Sequence, residues 1–231
     1  MTITECAEFL RSNDGYLLLT HERPDGDTLC SAAALCSALR RLGKTAFLLD
    51  NPGTTEKYRA FVEKYTAAPD YTPACIVSID TADVNMLTDG FDKAAAVDFA
   101  IDHHRSNSGY ARDTLVMPDM AACGEIVMRV IEELHGTLTK EEAELIYAAL
   151  STDCGCFCYG NTTPQTLRDA AHVIEYGVNN GYYNKLLFRS FSFSRLKLEG
   201  MISASLRSYC ELRINVAIVT LDMLEQAGAT E

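Results

Sequence analysis

A chain of 231 residues with 48% apolar side chains has material for one large core, or for one domain and a smaller piece. Its formal charge of −12 leaves no broad basic surface for a polynucleotide backbone, which argues against a long duplex bound along the surface. No apolar run reaches the roughly 18 residues needed to span a bilayer, and the start MTITECAEFLRSNDG lacks the basic and apolar parts of a signal peptide. The nine cysteines therefore read as reduced thiols, and the expected location is the cytoplasm.

In chain order, YLLLT at 16–20 reads as a buried strand and residues 28–42 as a helix. Leu29, Leu35, Cys36, Leu39 and Leu42 give that helix its apolar stripe, and Gly43 ends it. Residues 45–49, 74–79 and 94–101 read as three further strands. All four strand segments are apolar without alternation, as in a parallel sheet covered on both faces. Strands alternating with helices predict an α/β fold: a doubly wound, mostly parallel sheet with helices on both faces. From Ala121 the pattern is helical. Ile126, Val127, Val130, Ile131 and Leu134 share a face closed by His135-Gly136, Thr139 opens a helix with a capping box, and Thr163-Pro164 opens another. Residues 186–209 read as a long connecting helix, 213–220 as a strand and 221–227 as a helix. The predicted domains are thus 1–185, a connector over 186–210, and 211–231 as part of a second small α/β domain.

Acidic and imidazole groups follow several strands: His21, Asp25 and Asp27 in HERPDGDT, Asp80 in VSIDTAD, and Asp102, His103 and His104 in FAIDHHRSN. Asp153 lies between helical stretches in LSTDCGCF. In open α/β sheets the carboxyl ends of the strands line the ligand crevice, so these distant residues can converge. Crowded carboxylates raise one another's pKa, and divalent cations between them remove the repulsion. Mixed imidazole and carboxylate ligands suit Mn²⁺ or a similar metal. Adjacent residues leaving a strand point to opposite faces, so His103 and His104 are expected to do different work.

The segments HERPDGD, SIDTAD, IDHHRSN and ALSTDCGCF resemble the four successive motifs of the DHH phosphoesterase family, in the family's order and at similar spacing. DMAACGEIVMRVIEEL, NTTPQTLRDAAHVIEYGV and FSFSRLKLEG extend the resemblance toward the branch of short-RNA oligoribonucleases (nanoRNases) that also dephosphorylate 3′-phosphoadenosine 5′-phosphate (pAp). The resemblance implies two divalent metal ions, Mn²⁺ first, with Mg²⁺ or Co²⁺ as alternatives. One would be held by His21, Asp25 and Asp80, and the other by Asp27, Asp80, His103 and Asp153. Asp102 would stand behind them, fixing a neighbouring ligand or its backbone, and counts with His104 as catalytic machinery. His104 would face the substrate phosphate or assist proton transfer, with Arg105 and Asn107 as nearby substrate contacts.

The implied activity is hydrolysis of short oligoribonucleotides, pAp or both by metal-activated water, with small nucleotide phosphates as partners, no membrane, and a homodimer allowed. Alternatives are a cyclic-dinucleotide phosphodiesterase, an inorganic pyrophosphatase, or a metal- and nucleotide-binding module without turnover. The last arises because family members close a smaller C-terminal domain with a GGGH segment over the metals, and this sequence contains no such segment. Weak turnover of short RNA is the corresponding expectation.

Other groups read as ordinary structure. Asp83, Asp89, Asp92 and Asp98 are expected to be solvated or capping, His135 to meet a helix dipole, and His172 to lie on a helix. Cys154, Cys156 and Cys158 lack the paired spacing of a zinc site. Cys30 stands where the family often has glycine. Arg189, Arg195 and Lys197 either draw in an anionic substrate or are solvated helix charges.

Overall fold

The computed structural model describes residues 1–229; the last two residues of the expected 211–231 segment, Thr230 and Glu231, lie outside the described residues. The chain forms two compact units, Met1–Leu187 and Phe188 onward.

The first unit opens with helix α1, Ile3–Ser12, which the sequence reading does not include. Thr2 and Glu5 cap it reciprocally, and Cys6, Ala7 and Leu10 are buried. Strands β1 (Tyr16–Leu19), β2 (Ala46–Leu48), β3 (Cys75–Ile79), β4 (Phe99–Asp102) and β5 (Asp113–Val116) form one sheet in the order β2-β1-β3-β4-β5, every pair parallel. β5 is a further element the sequence reading lacks. β4 is shorter than the expected 94–101: a turn held by the Asp92 carboxylate on the Ala94 N–H precedes it, and pairing with β3 begins only at Phe99.

Helix α2 (Gly26–Arg41) is buried along most of its length and packs most extensively on α5 (Lys140–Asp153). Between them in sequence lie α3 (Glu56–Val62) and α4 (Cys123–His135), the latter ended by Gly136 in the left-handed region at φ 74°. Then come α6 (Pro164–Glu175) and the short α7 (Asn180–Asn184), which runs into a π-helical turn. On one face of the sheet Leu17, Leu19, Ile76 and Ala100 pack with Leu87, Val97, Ala111, Tyr71 and Tyr110. Loop segments cover that face.

The second unit corrects the long connecting helix. The chain breaks after Arg189, and α8 (Phe193–Ala204) restarts at Ser192, whose side chain accepts the Arg195 N–H. An antiparallel pair, β6 (Arg207–Tyr209) and β7 (Ile214–Val216), and helix α9 (Leu221–Ala227) follow. Arg195 pairs with Glu199, and Lys197 donates to the Gln226 carbonyl, so both cations serve this unit's own surface. No helix of the described residues is long and apolar enough to cross a membrane.

Gly26 decides how closely the start of α2 meets the end of α5. A Cβ there would lie 2.5 Å from Thr152 Oγ1 and 2.6 Å from its Cγ2. Gly26→Ala is expected to destabilise the fold by about 1–3 kcal/mol through overpacking and to weaken Mn²⁺ binding, because Asp25, Asp27 and Asp153 flank the contact. Thermal unfolding with a Mn²⁺ titration checks this. An unchanged midpoint with full binding would show that Thr152 swings clear.

Candidate metal centre

Asp25 is the N-cap of α2, its Oδ1 accepting the N–H groups of Asp27 (2.9 Å) and Thr28 (3.1 Å). His21 lies just beyond β1, its Nε2 3.7 Å from Asp25 Oδ1. Burial works against ionisation of both, yet their contact raises the imidazole pKa and lowers that of the carboxyl.

Asp27, in the first turn of α2, is fully buried. The first turn of α4 holds it: the Cys123 and Gly124 N–H groups donate at 2.6 and 2.9 Å, and Ser31 Oγ adds a third bond at 2.9 Å. A helix N-terminus thus faces a buried carboxylate, the charge its dipole favours. Even so, burial and then Asp80 and Asp153 hold the Asp27 pKa well above the usual carboxylate range.

Asp80 follows β3 at φ 56°, a left-handed conformation that Asp tolerates better than most side chains. Its N–H is tied to the Ile101 carbonyl at 2.8 Å. Its buried Oδ1 has no hydrogen-bond partner among the described residues, with His103 Nε2 at 3.4 Å and His104 Nδ1 at 3.6 Å. Asp153 ends α5, where Asn161 Nδ2 donates to its carbonyl and carboxylate. Burial and then Asp80 and Asp25 push its pKa up to about 6.

The histidine pair departs from the strand-alternation argument. β4 ends at Asp102, so the two imidazoles lie in the following loop, where pleating no longer assigns opposite faces. Their ring centroids are 4.5 Å apart, and both turn toward Asp80. His103 Nδ1 donates to the Met120 carbonyl at 3.1 Å, leaving Nε2 toward Asp80, Asp27 and Asp153. Burial opposes its charging, but the carboxylates, Asp80 first, raise its pKa to about 10. Asp102 Oδ1 takes both histidine N–H groups and His104 Nδ1, the last at 2.7 Å. That bond raises the His104 pKa against the cost of burial.

The geometry brings together His21, Asp25 and Asp80 as one potential ligand group, and Asp27, His103 and Asp153 as a second. A third group, Asp80 with His103 and His104, shows that His104 lies within reach of the acidic cluster as well as of solvent. The unpartnered Asp80 oxygen and the acids held above their usual pKa fit divalent cations placed among them. Cysteine enters none of these groups: Cys154 is buried, its thiol pushed up to about 12 by burial. The two predicted substrate contacts are placed differently. Asn107 Nδ2 donates to Asp102 Oδ2 at 2.7 Å, and exposed Arg105 pairs with Asp119 at 2.7 Å. Ser31, Asn161 and the α4 N-terminus are site elements that the sequence reading does not include.

A family model for the DHH family, N-terminal domain, matches residues 16–150, more than half of the chain. The chain belongs to the DHH family. Among DHH-related proteins, the Thermus thermophilus bifunctional oligoribonuclease and PAP phosphatase NrnA is 31% identical over 97% of this chain and 68% of its own length. The Bacillus subtilis protein of the same name is 28% identical over 98% of this chain and 73% of its own length. The crystal structure of an exopolyphosphatase-related protein from Bacteroides fragilis superposes with a TM-score of 0.86 over 99% of this chain and 72% of that one, at 19% identity. That likeness shows the shared fold.

Proposed function

We propose that this DHH-family chain is a metal-dependent phosphoesterase that hydrolyses short oligoribonucleotides and pAp. The observation that carries the reading is the convergence of four carboxylates and three imidazoles at the ends of β1, β3, β4 and α5, with a buried Asp80 oxygen left for a cation. The names of the Thermus and Bacillus relatives supply the substrate class. His21, Asp25 and Asp80 would hold one divalent ion, Asp27, His103 and Asp153 the other, with Asp80 between them, and Mn²⁺ suits this donor set. When bound, the ions supply positive charge for the phosphoryl oxygens and acidify water.

The protein's own groups do the rest. Asp102, held by Asn107, fixes the His104 ring through Nδ1 and favours its imidazolium form. That cation can bind a phosphoryl oxygen or give its proton to the leaving oxygen. By the family resemblance, residues 211–231 would be the start of a substrate-binding domain; Ile214, Val216, Ile218 and Val219 are exposed there. Nine free cysteines accord with the reducing cytoplasm.

The test is product formation from pAp, a 5′-labelled diribonucleotide, a cyclic dinucleotide and pyrophosphate, with Mn²⁺ present and Asp153→Ala as control. Mononucleotide and AMP lost in the control support the reading. Pyrophosphate or the cyclic dinucleotide as the sole substrate would replace it, and tight nucleotide binding without any product would make the chain a binding module.

A further inference from the structure

The loop after β2 bears on the metal centre from outside the four motifs. Asn51 is buried, and both functions of its amide are used. Its Oδ1 accepts the Gly53 N–H at 2.9 Å, which folds the loop back on itself. Its Nδ2 donates to the His21 carbonyl and to Thr20 Oγ1, each at 2.8 Å. These two bonds span about thirty residues of sequence and fix the peptide plane from which the His21 side chain departs. Gly53 lets the loop lie directly on the same segment. A Cβ there would stand 2.6 Å from the Glu22 carbonyl oxygen and 2.8 Å from Pro24 Cδ.

On the opposite side, Glu22 N–H donates to the Met86 carbonyl and Thr88 N–H to that of Thr20. Residues 20–22 are therefore gripped from two directions, and among the described residues the bond to the carbonyl of His21 itself comes from Asn51. The two metal-ligand groups differ in this support. Asp27 takes its backbone donors from the start of α4, and His103 is held through the Met120 carbonyl, so neither bond comes from Asn51.

We infer that Asn51 is a positioning residue for His21, and that the Asn51-Pro52-Gly53 loop sets the affinity of the His21–Asp25–Asp80 metal site while leaving the Asp27–His103–Asp153 site largely untouched. The inference rests on the two-metal reading above. An isosteric carboxylate at position 51 can still accept the Gly53 N–H, but its second oxygen would face the His21 carbonyl with no proton to give. Its added negative charge would by itself strengthen cation binding, so a weakened site reports lost geometry. Supporting groups behind metal ligands typically tune affinity about 10–100-fold.

Equilibrium Mn²⁺ binding to the whole chain tests this in wild type, Asn51→Asp, Asn51→Ala (which adds no charge), Thr20→Val and His21→Ala, and in Asn51→Asp combined with His21→Ala. Wild type should bind two ions. Both Asn51 variants should weaken one binding step tenfold or more and shift the other less than threefold. Thr20→Val, which removes the other acceptor of Nδ2, should leave both steps in place. With His21 already replaced, Asn51→Asp should cause no further loss of affinity, as expected of a residue that acts through another. Fewer than two ions on the wild type would overturn the two-metal reading and this inference together. Two ions on the wild type with undiminished steps in both Asn51 variants, equal weakening of both steps, or additive losses in the double variant would overturn the inference alone.

Discussion

Asp80→Asn is expected to abolish two-metal binding and to lower phosphoester hydrolysis by about a thousandfold or more. Asp80 is the carboxylate that both ligand groups approach, and its buried Oδ1 has no partner among the described residues. Metal ions contribute several kcal/mol of transition-state stabilisation, and at about 1.36 kcal/mol per decade the loss reaches that size. Asparagine adopts the left-handed conformation as readily as aspartate, so φ 56° at this position adds no new strain. The fold should therefore survive while the site fails. Thermal unfolding with and without Mn²⁺ separates the two. An ion at 100 times its dissociation constant stabilises by about 2.7 kcal/mol, roughly 5–11 °C for a domain of this size. Wild type should show that gain and Asp80→Asn should not. A variant that kept both the gain and the turnover would remove Asp80 from between the ions.

The metal-stripped wild type carries a second signature. In the folded site Asp153 is raised from 3.8 to about 6 and His103 from 6.5 to about 10. Both shifts make the folded state bind more protons than the unfolded chain, so the contribution of these two groups to stability grows as pH falls. For His103 that contribution is lost as pH rises toward about 10 and is complete below 6.5. For Asp153 the penalty of the buried charge is relieved as pH falls through about 6 toward 3.8. Bound metal competes with these protons, so the trend should reverse in excess Mn²⁺.

The clustering of candidate ligands was legible because their chemistry sits at strand and helix ends: HERPDGD after β1, Asp80 after β3, the histidine pair after β4 and Asp153 at the end of α5. What holds those side chains was not legible. Asp27 meets Cys123 and Gly124 across nearly a hundred residues, and His21 meets Asn51 across thirty. Backbone donors and a loop amide carry no motif of their own. Strand limits failed where apolar composition outran pairing, as in the alanines before Phe99. β5 escaped notice because DTLV is short and has one buried residue. The signal for α1 was present in Thr2, Glu5 and the buried stripe of Cys6, Ala7 and Leu10. The long helix over 186–209 looked continuous because its apolar pattern crosses the Ser192 cap that divides it.

Asp102→Asn should separate proton placement from metal binding. The Asp102 side chain is fully buried and takes no part in the three ligand groups. Its Oδ1 accepts the His104 ring at 2.7 Å and the N–H groups of both histidines, while Oδ2 takes Asn107. The amide keeps the shape and can keep the backbone bonds, but it removes the negative charge that favours the His104 imidazolium. In wild type that bond raises the His104 pKa above the usual 6.5. The cation therefore persists at higher pH, and activity that depends on it falls as pH rises through the raised value. In Asp102→Asn the fall should begin at lower pH. On the alkaline side hydrolysis should drop by about 10²-fold or more, within the range for a displaced general acid, and the gap should narrow as pH falls. Mn²⁺ stoichiometry should stay at the wild-type value, which distinguishes the effect from loss of a ligand. An unshifted alkaline limb would mean that His104 acts as a neutral ring and that Asp102 serves only to orient it. A parallel loss of metal would instead place Asp102 in support of the His103 ligand, through the backbone N–H it holds at 2.8 Å.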